Sequence, residues 1–226
     1  MVSPLLANIF LHYVLDLWVH RWRRRDATGE VIVTRYADDV IVGFQHQAEA
    51  QRFRQAVKAR LAAFGLELHP TKTRLIEFGR YAAERRARRG EDKPATFDFL
   101  GFTHCCSRTR RGEFTVRRLT VKKRMRAALT ALRDTLKRRR HEPVGVIGPW
   151  LRRVVQGYFN YFAVPGNLER LIAYRHEVCR AWYHALRRRS QKGRVPWVRF
   201  VRLIDLYVPR VRQIHPHPLQ RFRVIT

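Results

Sequence analysis

Tyr36-Ala37-Asp38-Asp39 separates two β-branched runs, Val31-Ile32-Val33-Thr34-Arg35-Tyr36 and Val40-Ile41-Val42-Gly43-Phe44. Two strand-forming runs this close together predict an antiparallel hairpin. The hairpin puts both carboxylates at its turn, where burial cannot neutralise them and they can converge on a divalent cation. Hard cations such as Mg²⁺ take oxygen ligands, commonly one or two carboxylates plus substrate phosphates. A pair of such ions can clamp the attacking and leaving oxygens of a nucleotidyl transfer. The alternative is a plain Asp-Asp turn, since Asp favours turns through local hydrogen bonds.

Charge separates these readings. The 226 residues carry 47 Lys and Arg against 18 Asp and Glu, a net +29. Such a charge repels itself on folding and points to a polyanion as partner. Arg dominates, which suits fork-like phosphate contacts. Residues 1–113 hold 20 basic and 13 acidic side chains, whereas residues 114–226 hold 27 and 5. The acidic chemistry therefore belongs to the first part and the polyanion to the second. A hydrophobic fraction of 46% is that of a folded chain.

Three cysteines, Cys105, Cys106 and Cys179, make neither a disulfide framework nor a metal-ligand spacing, so a reducing cytoplasmic setting is expected. No apolar run approaches the roughly 18–20 residues of a membrane span. His215-Pro216-His217-Pro218 reads as a solvated tail.

Along the chain, Ser3 as N-cap and Pro4 at the first helical position open a helix to about residue 20. Arg21 to Gly29 reads as a basic loop. A helix from Gln47 to Phe64 has Ala50, Phe53, Val57, Leu61 and Phe64 on one face and Gly65 as its stop. Residues 74–78 read as a strand and 80–95 as an exposed loop. Phe97 to Phe102 forms a strand and turn, with Glu113 to Arg117 as return strand. Helices follow from Thr120 to the run Lys137-Arg138-Arg139-Arg140, from Pro149 to Phe162, from Leu168 to Arg189 and from Trp197 to Tyr207. The pattern changes from β to helix near residues 107–120.

Four elements in order carry a resemblance: Ser3-Pro4-Leu5-Leu6-Ala7-Asn8-Ile9-Phe10-Leu11-His12, then Tyr36 to Asp39, then Gly65-Leu66-Glu67-Leu68-His69-Pro70-Thr71-Lys72-Thr73, then Phe97-Asp98-Phe99-Leu100-Gly101-Phe102. Together they resemble the second half of the palm of group II intron-type reverse transcriptases. The helical part resembles the maturase-specific, thumb-like domain of that family, most visibly at Leu151 to Phe162. The resemblance implies an α+β fold, a partial polymerase palm in residues 1–112 followed by an all-helical domain in residues 120–226. It implies an RNA-directed DNA polymerase and intron splicing maturase of the bacterial cytoplasm. Its partners would be intron RNA, an RNA template with DNA primer, and deoxynucleotides.

By the same resemblance Asp38 and Asp39 hold catalytic Mg²⁺, and Lys72 sits near the triphosphate. Tyr36 and Ala37 lie beside the primer end and nucleotide. Leu100 and Gly101 approach the primer backbone. Lys122, Lys123, Arg124, Arg138, Arg139, Arg140, Arg152 and Arg153 are candidates for phosphate contact. Tyr158, Phe159, Tyr161 and Phe162 read as core aromatics, with base stacking as the alternative.

The family's other metal-binding carboxylate precedes the Ser3-Pro4 element and is absent from these 226 residues. The chain is therefore expected to be a C-terminal fragment, inactive alone or completed by a separate N-terminal chain. A non-catalytic RNA-binding splicing module is the competing reading. No Cys-rich or H-N-H nuclease segment follows residue 200.

Overall fold

The computed structural model describes residues 3–189 and 195–217, with the backbone alone at Ser3. The proposed N-cap side chain of Ser3 thus lies outside what is described. The fold is α+β, with a two-stranded and a three-stranded antiparallel sheet and a mostly helical C-terminal part. Two compact units divide between Glu77 and Phe78.

In the first unit α1 (Ser3–Leu11) runs through a π-helical turn (His12–Asp16) into α2 (Leu17–Arg25). Arg21 to Arg25 are therefore helical, and the loop that remains, residues 26–30, holds none of the expected basic side chains. Two forces extend the helix: Val19 and Trp22 are buried, and Arg23, Arg24 and Arg25 complement the negative end of its dipole. Strands β1 (Val31–Tyr36) and β2 (Asp39–Phe44) pair from Val31↔Phe44 to Tyr36↔Asp39, leaving a two-residue turn. Alternation sends Val31 and Val33 to the core and leaves Ile32 and Tyr36 exposed. Helix α3 (Gln47–Ala62) buries Ala50, Phe53, Val57 and Leu61, and Phe53 packs edge-on to Trp22 at 4.9 Å.

Phe64 falls beyond the helix and stays exposed, covered by the Arg60 guanidinium 4.3 Å from its ring centre. Gly65 does stop α3. With φ +71° it lets its own N–H reach Ala62 O and the Leu66 N–H reach Leu61 O, a paired closure of the helix end. Residues 74–78, read from the sequence as a strand, join no ladder among the described residues.

The second unit starts at Phe78, and its residues 80–95 are not the plain exposed loop that the sequence suggests. Instead α4 (Ala82–Arg88) forms, held by a fully buried Ala82 and a 2.6 Å Arg88–Glu84 pair four residues apart. A meander β3 (Phe97–Phe99), β4 (Phe102–Arg108) and β5 (Phe114–Thr120) follows, with Phe97↔His104 and Phe102↔Thr120 in register. Helices α5 (Lys122–Arg138), α6 (Val144–Phe162), α7 (Leu168–Arg187) and α8 (Trp197–Tyr207) close on a core that includes Leu132, Leu151, Phe159, Tyr174, Trp182 and Phe200. Phe102 of β4 belongs to that same core.

Helix α6 starts five residues before Pro149, which sits inside it. Burial of Ile147 at 1% exposure outweighs the missing N–H of the proline. The segment around His215 is docked rather than solvated. Its Nε2 lies 2.6 Å from Asn160 O, and the Ile214 and His215 amides both donate to Ala163 O, an acceptor left open at the end of α6. Pro218 lies outside the described residues. No described helix is long and apolar enough to cross a membrane.

Candidate metal and nucleic-acid sites

The turn between β1 and β2 forms from Ala37 and Asp38, flanked by the facing pair Tyr36 and Asp39. Ala37 has φ +52°. A residue with a Cβ adopts that region at a cost of roughly 1–2 kcal/mol, so something must hold it there. The Arg35 guanidinium does: its Nη1 donates to Ala37 O at 2.9 Å and to Asn8 Oδ1 at 2.9 Å. Its Nε and Nη2 each donate to Asp16 at 2.7 Å, a two-pronged pair that holds the Asp16 carboxyl below its usual range.

Asp38 and Asp39 are both exposed, and neither carboxylate has a hydrogen-bond or ion-pair partner among the described residues. Two bare carboxylates in a chain of net charge +29 remain open to an external cation. Their oxygens suit Mg²⁺ in type. No third His, Cys, Asp or Glu joins them in a metal-holding group among the described residues, so an ion held there would take its remaining ligands from outside that set. Tyr36 is 64% exposed beside them. Lys72 is exposed in the turn after Pro70, which is closed by the Thr73 N–H on His69 O, and forms no ion pair with either Asp.

The second unit has a parallel feature. Leu100 and Gly101 turn β3 into β4 with φ +48° and +80°. Ala37 and Leu100 are the non-glycine residues with positive φ among those described, and both fall on sequence-predicted site positions. The Leu100 carbonyl accepts a 2.8 Å bond from the Tyr161 hydroxyl, and the Gly101 carbonyl accepts from Val121 N at 3.0 Å. A Cβ on Gly101 would come 3.2 Å from the Arg124 guanidinium, so that cation lies directly over bare backbone.

Lys122, Lys123 and Arg124 occupy the exposed first turn of α5, which contains no acid. Cations there oppose the positive end of the helix dipole. Arg152 and Arg153 are likewise exposed and unpaired among the described residues. The run at the other end of α5 is less free. Arg139 is forked onto Glu142 at 2.9 and 2.7 Å and lies over the Trp150 ring at 5.2 Å. Arg138 contacts Thr135 Oγ1, and Arg140 contacts Arg188 O, each at 3.4 Å.

The aromatic cluster divides. Phe159 and Phe162 are core, and burial pushes the Tyr158 phenol up to about 12, whereas Tyr161 is half exposed. Sequence reasoning missed Asn8, Asp16 and Arg35 as neighbours of the acidic turn, although Asn8 stands in the Ser3–His12 element, Asp16 follows it by four residues and Arg35 directly precedes Tyr36.

Residues 1–104 match the reverse transcriptase (RNA-dependent DNA polymerase) family. The match takes in the acidic turn, Lys72 and the Leu100-Gly101 turn; the basic residues of α5 and α6 lie beyond it. No curated protein matches the chain.

Proposed function

We propose that the chain works as an RNA-directed DNA polymerase and group II intron splicing maturase. Residues 1–112 serve as the second half of the palm and residues 120–226 as a helical RNA-binding domain. The observation that carries this reading is the pair of unpaired, exposed carboxylates on a strained turn, inside a segment similar to reverse transcriptases. Asp38 and Asp39 would hold Mg²⁺, which when bound polarises phosphate oxygens for nucleotidyl transfer. Lys72 meets the triphosphate, and the Leu100-Gly101 turn with Arg124 supports the primer backbone. The cations of α5 and α6 grip template or intron RNA by charge, without reading sequence.

Two carboxylates supply only part of a two-ion site, so a further ligand comes from another segment, in a longer product or in a separate N-terminal chain. The same observation supports a second reading, an RNA-binding splicing module that does not polymerise. Primer extension separates them. With the palm completed, Asp38→Ala abolishes extension and leaves RNA binding nearly intact; wild-type-like extension would remove Asp38 from the metal site. The 226-residue chain alone gives no extension above background under the proposal.

A further inference from the structure

The acidic turn does not hold its shape by itself, and the residue that holds it lies outside the quoted motif. A straight α-helix would set Asn8 and Asp16, eight residues apart, about 80° apart around its axis. The π-helical turn His12–Asp16 widens the helix between them and reduces that angle. Both side chains consequently meet one guanidinium, that of Arg35, which is 16% exposed. The Asn8 amide is itself oriented, its Nδ2 donating to Pro4 O at 3.0 Å. Asp16 is further contacted by His12 Nδ1 at 3.3 Å. With its fork fixed on two sides, the guanidinium has one remaining contact, the carbonyl of Ala37 at φ +52°.

We propose that Arg35 is a positioning residue for the Asp38-Asp39 turn: clamped by Asp16 and Asn8, it holds the Ala37 carbonyl and so keeps both carboxylates turned outward toward a divalent cation. The proposal rests on the reading that these carboxylates bind such a cation. Only an arginine satisfies it, because an ammonium cannot span Asp16, Asn8 and a backbone carbonyl in one plane.

The test uses the 226-residue chain, with Arg35→Lys as variant and Mn²⁺ as spectroscopic probe. The substitution is expected to leave cooperative unfolding in place and speed hydrogen exchange at the Tyr36 and Asp39 amides, while exchange in α3 at Phe53 and Val57 stays unchanged. Mn²⁺ binding weakens about tenfold or more, as when the supporting partner of a metal ligand is lost. Unchanged exchange at the turn overturns the proposal, as does exchange that rises equally in α3, which would make Arg35 a general brace of the unit. If the wild-type chain takes up no Mn²⁺, the metal reading fails while the exchange comparison still decides the role of Arg35. Should Arg35→Lys not fold, Asn8→Ala removes one clamp and must give the same local pattern at smaller size.

Discussion

The hydroxyl of Tyr161 donates a 2.8 Å hydrogen bond to the carbonyl of Leu100, 61 residues earlier, at a position where φ is +48°. The same ring stacks on Phe102 at 5.8 Å with 12° between the planes. Helix α6 thereby fixes a turn whose own backbone preference runs the other way. The acidic turn in the other unit follows the same logic, with a guanidinium as the donor.

Tyr161→Phe keeps the ring and its stack and removes the donor. The expected loss is about 1 kcal/mol of unfolding free energy, the size of one partly exposed hydrogen bond, read by urea denaturation. Affinity for a primer–template duplex should fall as well, since the turn carbonyls would no longer be fixed. Unaltered stability and affinity would make the contact incidental.

Asn167 is fully buried and serves three groups. Its Oδ1 accepts from Thr120 N at 2.9 Å, and its Nδ2 donates to Thr120 Oγ1 and Phe162 O at 2.8 Å each. It ties the end of β5 to α6 and to the start of α7. Asn167→Ala strands these groups away from water, and a cost of about 3 kcal/mol is expected in chemical unfolding. A loss below about 1 kcal/mol would mean that water reaches the site and replaces the amide.

Acid should weaken the first unit through two carboxylates. The Arg35 fork lowers the Asp16 pKa below the ordinary 3.8, and the Thr28 hydroxyl, with the Thr28 and Gly29 amides, lowers that of Glu49 below 4.5. A depressed folded value means that the unfolded chain binds the proton first. The stabilisation is therefore complete above the unfolded values and is lost as pH falls through the folded ones. Asp16→Asn and Glu49→Gln should each flatten the drop in unfolding midpoint between about pH 5 and pH 2. Equal slopes in wild type and variants would show that other groups carry the acid sensitivity.

The hairpin was legible because Val31 to Phe44 combines strand-forming side chains with a turn, and the register follows from alternation. Helix α8 matches its sequence reading at both ends, since Pro196 and the loss of apolar pattern after Tyr207 are local signals. Helix α6 was misplaced because Pro149 reads locally as a start, whereas burial of Ile147 is a tertiary effect. Helix α4 was missed for the same kind of reason: one buried alanine gives no visible periodicity. Asp38 and Asp39 stand out in the sequence by their chemistry, two adjacent acids in a basic chain. Arg35 does not, because its contacts depend on a π-helical turn that brings Asn8 and Asp16 to one guanidinium, and no spacing announces that turn.

The basic residues of α5 and of the turn just after it divide by their partners, which makes the salt dependence of RNA binding a residue-by-residue test. Each phosphate neutralised adds up to about 0.9 to the log–log slope on a duplex, somewhat less on a single strand. Arg138→Ala and Arg140→Ala should each remove up to that amount, while Arg139→Ala should leave the slope alone, because Glu142 already occupies its fork. Lys122, Lys123 and Arg124 make the sharper case. Replacing all three by Ala should lower the slope by roughly two to three and weaken different RNAs alike, as phosphate contacts do. It should also raise stability by up to about 1 kcal/mol, since three cations leave the positive end of a helix dipole. Weaker binding joined to a more stable fold separates a residue kept for its ligand from one kept for the fold. Loss of both together would assign this turn to the fold, and loss confined to one RNA would reveal specific recognition in place of a general grip.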